Sequence, residues 1–247
     1  MWHIIVAAAS NKGKTLFALN LADAVLAGGF SVLYVLLEGT MRDVMPRLYA
    51  LATGTPIDAL QPGKRYEAPR WGDATDQFHG RNEKAGSSLY FAERTGRQLP
   101  AILTALHEGA ASGCALAVVD YLQLIRVPDA PSTYEATVRL SGALCEAAVR
   151  ENITTLGLSQ FNRGALNDKD RGMTIHGLSG GGPLENDADQ VLLLDHTKAT
   201  VDGFRTHATV SVAKNRHGPT REMAVTWDYR TLRVYEPPIR ADGRLNV

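Results

Sequence analysis

The sequence predicts an α/β protein: a mainly parallel central β-sheet flanked by helices, with an antiparallel extension at its carboxyl-terminal end. Three observations carry this. Short apolar runs alternate with stretches of helical periodicity, the pattern of strand–helix–strand units. Most of these runs lack period-two alternation, as strands covered on both faces do. The last runs, in contrast, do alternate and are joined by short turns, as antiparallel neighbours are.

Taken in order, HIIVAA (3–8), SVLYVLL (31–37), SLYFA (88–92), ALAVVD (115–120), ITTLGLS (153–159) and QVLLLD (190–195) read as strands. The first helix is KTLFALNLADAVLAGG, with Phe17, Leu21, Ala24 and Val25 at helical spacing and the pair Gly28–Gly29 as its stop. MRDVMPRLYAL, LPAILTALHEGA and YEATVRLSGALCEAAVR supply further helices. HATVSVAK, EMAVTW and TLRVY form the antiparallel tail. Between these elements, Thr53–Ser87 and Asn162–Gly182 are long and rich in Gly, Pro and charge, and read as two loop excursions from one domain over 1–247.

Bulk composition excludes several classes. Lys and Arg number 26, equal to Asp and Glu at 26, so contact with nucleic acid must come from a local patch rather than overall charge. Cys114 and Cys145 lie in apolar segments without metal-ligand spacing, which reads as free thiols in a reducing compartment. Neither a signal-peptide core nor a run of about 18 apolar residues is visible. The expectation is a cytoplasmic protein with no membrane partner.

The segment AAASNKGKT (7–15) fits the phosphate-loop pattern G-x-x-x-x-G-K-[ST] except at Ala8, where the first glycine belongs. It follows a strand and enters a helix, the placement that turns backbone N–H groups toward phosphates. Ser10, Asn11, Lys12, Gly13, Lys14, Thr15 and Leu16 would form the cradle. Gly13 permits close backbone approach, Lys14 supplies a cation, and Thr15 offers a hydroxyl to magnesium. ALAVVD runs four apolar residues into Asp120, placed to hold that magnesium through water, although an Asp ending a strand also serves as a turn cap. LLEGT sets Glu38 at the end of the second strand, next to the loop if the two strands are adjacent; a carboxylate there polarises an attacking water, or is simply solvated.

SNKGKT, LLEGT, VVDYLQL, LSQFNR, LENDAD and KNRHGPT occur in this order, and each resembles a motif of the motor domain of DnaB-like replicative helicases. The resemblance spans about residues 3–235, and members of that family commonly carry alanine where Ala8 stands. It implies a RecA-like P-loop NTPase fold that hydrolyses ATP with Mg2+, assembles as a hexameric ring and moves along single-stranded DNA. It makes Glu38 the catalytic base and Gln160 a γ-phosphate sensor. It also makes Lys214 and Arg216 a pair acting in trans in the neighbouring subunit's site, with Arg216 as the arginine finger. Read alone, KNRHGPT is equally a solvated basic turn.

Two departures accompany the resemblance. No counterpart of the family's amino-terminal domain or linker helix is read in 1–247. In HGLSGGGPLENDAD, Ser179 and Gly180 stand where the family's DNA-gripping loop carries an Arg-Glu pair, while Gly182 matches. Gly180, Gly181 and Gly182 can still present backbone N–H groups to a phosphate, and Arg163, Lys169 and Arg171 add charge. Losing the arginine predicts weak DNA binding with a shallow salt dependence. These departures leave an alternative function, a stand-alone regulatory or loader ATPase that hydrolyses ATP without unwinding DNA.

Overall fold

The computed structural model describes residues 1–60, 68–93, 96–161, 181–200 and 203–236. Its strands are β1 (His3–Ala8), β2 (Ser31–Leu36), β3 (Leu89–Glu93), β4 (Cys114–Asp120), β5 (Thr154–Gln160), β6 (Gln190–Thr200), β7 (Arg205–Asn215), β8 (Arg221–Asp228) and β9 (Arg233–Tyr235). They form one nine-stranded sheet in the order β3-β2-β4-β5-β1-β6-β7-β8-β9. Neighbours from β3 to β6 are parallel, and those from β6 to β9 antiparallel. The burial pattern follows this division. β1, β2, β4 and β5 are buried almost throughout, whereas β7 alternates buried and half-buried positions.

The helices are α1 (Lys14–Ala27), α2 (Met41–Thr53), α3 (Ala68–Ala85), α4 (Leu99–Ala111), α5 (Thr133–Arg150) and α6 (Gly181–Asp187). One core joins the sheet to α1, α2 and α3, and a second joins its other face to α4, α5 and α6. In α1 the deepest side chains are Ala18, Leu19, Ala22 and Leu26, while Ala24, expected on the apolar face, is exposed. That helix is apolar nearly all round, so its periodicity does not select the buried stripe.

Helix α3 corrects the reading of 53–87 as a loop. Ala74 and Phe78 are each 1% exposed and pack into the α1–α2 core, and Tyr49 of α2 meets the Phe78 ring edge-on. Burying a side chain such as Phe78 contributes about 2–3 kcal/mol. The Arg81 guanidinium clamps both carboxylate oxygens of Asp23 on α1, fixing α3 further. Of the second predicted excursion, 162–180 lies outside the described residues. Both cysteines are free thiols, Cys114 buried and Cys145 half-buried.

His3, at the start of β1, is 1% exposed; its Nδ1 bonds the Thr155 hydroxyl at 2.7 Å, and its buried Nε2 has no partner among the described residues. Burial pushes its pKa down to about 4 from the ordinary 6.5, against the pull of Asp189 and Asp187. As pH falls, the unfolded chain therefore takes the proton before the folded one. Stability present above the unfolded value is lost on descending toward the folded value, about 3 kcal/mol in full. Urea denaturation of His3→Gln should show a flatter loss of stability across that acid range than the parent. Parallel slopes for the two proteins would remove His3 as the source.

Candidate functional site

β1 ends at Ala8, and the chain turns through Ser10–Lys12 before α1 begins. Ala8 is a strand residue: it pairs with Gln160 of β5, and its carbonyl accepts the Phe161 N–H at 3.1 Å. It is absent from the left-handed backbone positions, so this site needs no glycine. Gly13 does. Its φ is 76°, and a Cβ there would lie 2.8 Å from Trp227 Cζ2 on β8. The first intrahelical bond runs from Phe17 N–H to the Gly13 carbonyl at 2.9 Å, so the N–H groups of Lys14, Thr15 and Leu16 precede the helix ladder. The Lys14 ammonium sits inside the turn, donating to the Ala8 and Ala9 carbonyls at 3.2 and 3.1 Å. Burial lowers its pKa, and the Asp120 charge opposes that shift.

Beside the loop lies an open cleft of about 440 Å³, lined by residues that include Ser10, Lys14, Thr15, Glu38, Asp120 and Gln160. Glu38 reaches it although its strand is not adjacent to β1; β4 and β5 intervene. What brings Glu38 there is β4, because the Leu37 N–H bonds the Asp120 carbonyl at 3.0 Å. Gln160 is placed by its register opposite Ala8. Asp120 is 8% exposed and accepts two hydrogen bonds on Oδ2, from the Thr15 hydroxyl at 2.8 Å and from the Tyr34 hydroxyl at 3.1 Å. Burial raises its pKa, the Thr15 and Tyr34 bonds and the Lys14 charge draw it down, and Glu38 adds to the rise. Arg47 of α2 and Tyr121 complete one wall.

Lys214 and Arg216 lie elsewhere. Gln190, which opens β6, pairs with both Ile4 of β1 and Asn215 of β7, so the end of β7 sits at the amino-terminal edge of β1. The Arg216 N–H bonds the Asp189 carbonyl at 2.9 Å, and the Asp189 N–H bonds the His3 carbonyl at 2.8 Å. The phosphate loop leaves the opposite edge; a strand rises about 3.3 Å per residue, which separates His3 from Ala8 by about 16 Å. At that amino edge the two cations hold the end of α6. Lys214 Nζ donates to the Glu185 and Asn186 carbonyls at 2.6 and 3.0 Å, and Arg216 donates to the Asn186 carbonyl at 2.7 Å. The Arg216 guanidinium also faces Asp189 at 3.4 Å. These contacts are more than a solvated basic turn would make, and cations suit the carbonyl end of a helix.

Of the DNA-assigned residues, Gly181 and Gly182 open α6, whereas Arg163 and Gly180 lie outside the described residues. Tyr34, Arg47 and Tyr121 join the cleft without having been anticipated. For Tyr34 and Arg47 no sequence signal existed. Tyr121 had one, since it directly follows the strand-ending Asp120.

A phosphate loop at the carboxyl end of a parallel strand, with an acid two strands away bonded to its threonine, defines a P-loop nucleotide-binding domain; its sheet has the RecA-like form. The chain belongs to the DnaB-like helicase C-terminal domain family, whose model matches residues 3–236. Replicative DNA helicase DnaB of Pasteurella multocida is 27% identical over 225 residues, which cover 87% of this chain and 47% of that protein. The DnaB of Leifsonia xyli is 28% identical over 229 residues, covering 91% of this chain and 49% of that one. The chain thus spans about half the length of these relatives. Among solved structures, an isolated ATPase domain superposes with a TM-score of 0.82 at 21% identity, covering 96% of this chain and 85% of that one. A DnaB-like replicative helicase described with its interactions with primase gives a TM-score of 0.81 at 21% identity, covering 94% and 57%. Among the described residues, no helix is long and apolar enough to cross a membrane.

Proposed function

We propose that this chain is a single cytoplasmic ATPase domain over 1–247, the magnesium-dependent motor of a DnaB-like replicative helicase that moves on single-stranded DNA as a hexameric ring. The observation that supports it most is the convergence of Lys14, Thr15, Glu38, Asp120 and Gln160 on one cleft from four separate segments of the chain. The donor set fits a nucleoside triphosphate. N–H groups and the ammonium suit phosphate oxygens, and the Thr15 hydroxyl with the Asp120 carboxylate offers oxygen ligands suited to magnesium. The described residues hold no cluster of three metal-ligating side chains, so the phosphates and water would complete the ion's shell.

In this reading Lys14 and the loop N–H groups bind and orient the phosphates, and Thr15 and Asp120 hold magnesium. Glu38 takes the proton of the water that attacks the terminal phosphorus, and Gln160 contacts the terminal phosphate. Magnesium, when bound, neutralises charge on the phosphate oxygens. Lys214 and Arg216 act in the site of a neighbouring subunit, in keeping with their place at the opposite edge of the sheet from their own loop. Single-stranded DNA is contacted through Arg163 and the glycines Gly180–Gly182.

The glycines at the start of α6, in place of an arginine pair, favour a second reading as a regulatory ATPase with little grip on DNA. ATPase rate measured against protein concentration, with and without oligo-dT, separates the two. The motor reading expects a rate that rises faster than linearly with protein and increases on adding oligo-dT. DNA binding should weaken with salt along a shallow slope, because few phosphates are contacted. No binding of a long oligo-dT at low salt, with an ATP analogue present, would favour the regulatory reading.

A further inference from the structure

Tyr34 lies on β2 with no surface exposed, its ring 6.1 Å from that of Phe91 on β3. A phenylalanine would fill this space without bringing a hydroxyl into the core. A buried hydroxyl is unfavourable unless bonded, so its partner carries information. That partner is Asp120. In the β2–β4 register Leu36 lies opposite Asp120 and Tyr34 opposite Val118, so the phenol reaches along the same sheet face to the carboxylate. Its hydroxyl donates to Oδ2 at 3.1 Å, the same oxygen that takes the Thr15 hydroxyl at 2.8 Å.

We propose that Tyr34 is a positioning residue for the magnesium site, holding the Asp120 carboxylate in the orientation from which it serves the cation. The inference rests on the nucleotide–magnesium reading given above. Thr15 cannot fill this role alone, because there its hydroxyl turns to the metal and leaves Asp120. Tyr34, fixed in the core by Phe91 and the sheet, has no competing task. Partners that orient metal-binding side chains in this way typically change metal affinity by about 10–100-fold.

The test uses the full chain, Mn2+ as the probe ion, and ADP. Free Mn2+ is followed by electron paramagnetic resonance, and metal-free ADP binding by calorimetry. Tyr34→Phe should weaken Mn2+ binding in the presence of ADP by about 10-fold while metal-free ADP affinity stays at the parent value. Phe91→Leu disturbs the same packing and keeps the hydroxyl; it should leave Mn2+ affinity unchanged even if it lowers the melting temperature. Parent-like Mn2+ affinity in Tyr34→Phe overturns the proposal, as does an equal loss in Phe91→Leu, which would assign the effect to packing. A parent protein that binds neither ADP nor Mn2+ with ADP would instead overturn the nucleotide–magnesium reading, and this inference with it.

Discussion

Glu38→Gln should bind ATP with the parent's affinity and turn it over about 10²-fold or more slowly. The substitution keeps the shape of the side chain and removes its capacity to accept a proton. Its geometry supports a clean separation of binding from chemistry. The Leu37 N–H is tied to the Asp120 carbonyl at 3.0 Å, so the backbone beside Glu38 stays in place whatever the side chain carries. Glu38 itself is exposed and lines the cleft, so no buried charge is stranded by the change. The phosphate-binding groups, Lys14 and the first turn of α1, come from a different segment and are untouched. Calorimetry with magnesium and a nonhydrolysable analogue measures the binding half, and single-turnover hydrolysis the chemical half. Hydrolysis at the parent's rate would take the role of base away from Glu38.

What the sequence disclosed depended on how local each feature is. The phosphate loop was legible because a strand, a turn and a helix start lie within thirteen contiguous residues, 3–15, and because Gly13 and Lys14 keep their spacing. The one mismatch dissolves in the fold, where Ala8 is an ordinary strand residue. Glu38 was legible as a candidate only through its place at a strand end and its resemblance to a family motif. Its approach to the loop depends on a sheet order in which two other strands lie between β2 and β1. Tyr34 was illegible, since a phenol in an apolar run resembles any core aromatic until its partner is known. Helix α3 was hidden by Gly72 and Gly80 and by its charge, although Trp71, Ala74 and Phe78 repeat at helical spacing. The carbonyls that hold Lys214 and Arg216 belong to the backbone of α6, and main-chain acceptors leave no trace in side-chain identity.

Arg216→Ala should bind ATP and lose about 10³-fold or more in turnover, the scale of arginine fingers that act in trans. The fold gives this expectation a physical basis. Arg216 follows β7 at the amino edge of β1, whereas Lys14 follows β1 at its carboxyl edge, so one chain cannot bring both to the same phosphate without rebuilding its sheet. A neighbouring copy can. The substitution also removes one of the side chains that hold α6, and a loosened α6 would be a second route to a lower rate. Mixing addresses the first cause. Lys14→Ala is inactive because it lacks the cation in the loop, and Arg216→Ala because it lacks the finger. In mixed assemblies, some interfaces join an intact Lys14 to an intact Arg216 of the other chain, and activity returns in part. Local damage to α6 stays within its own chain, but the partner chain in such an interface has an intact α6, so recovery alone would not exclude it. The deciding control is Arg216→Lys, which keeps a cation able to bond the Asn186 carbonyl but loses the planar fork that matches a transferring phosphoryl group. The finger expects this variant to remain severely slowed with α6 held. A requirement only for α6 expects it to recover most of the parent's rate. Near-normal Arg216→Ala turnover, with nothing gained on mixing, would make this a self-sufficient ATPase and remove the principal support for a ring motor.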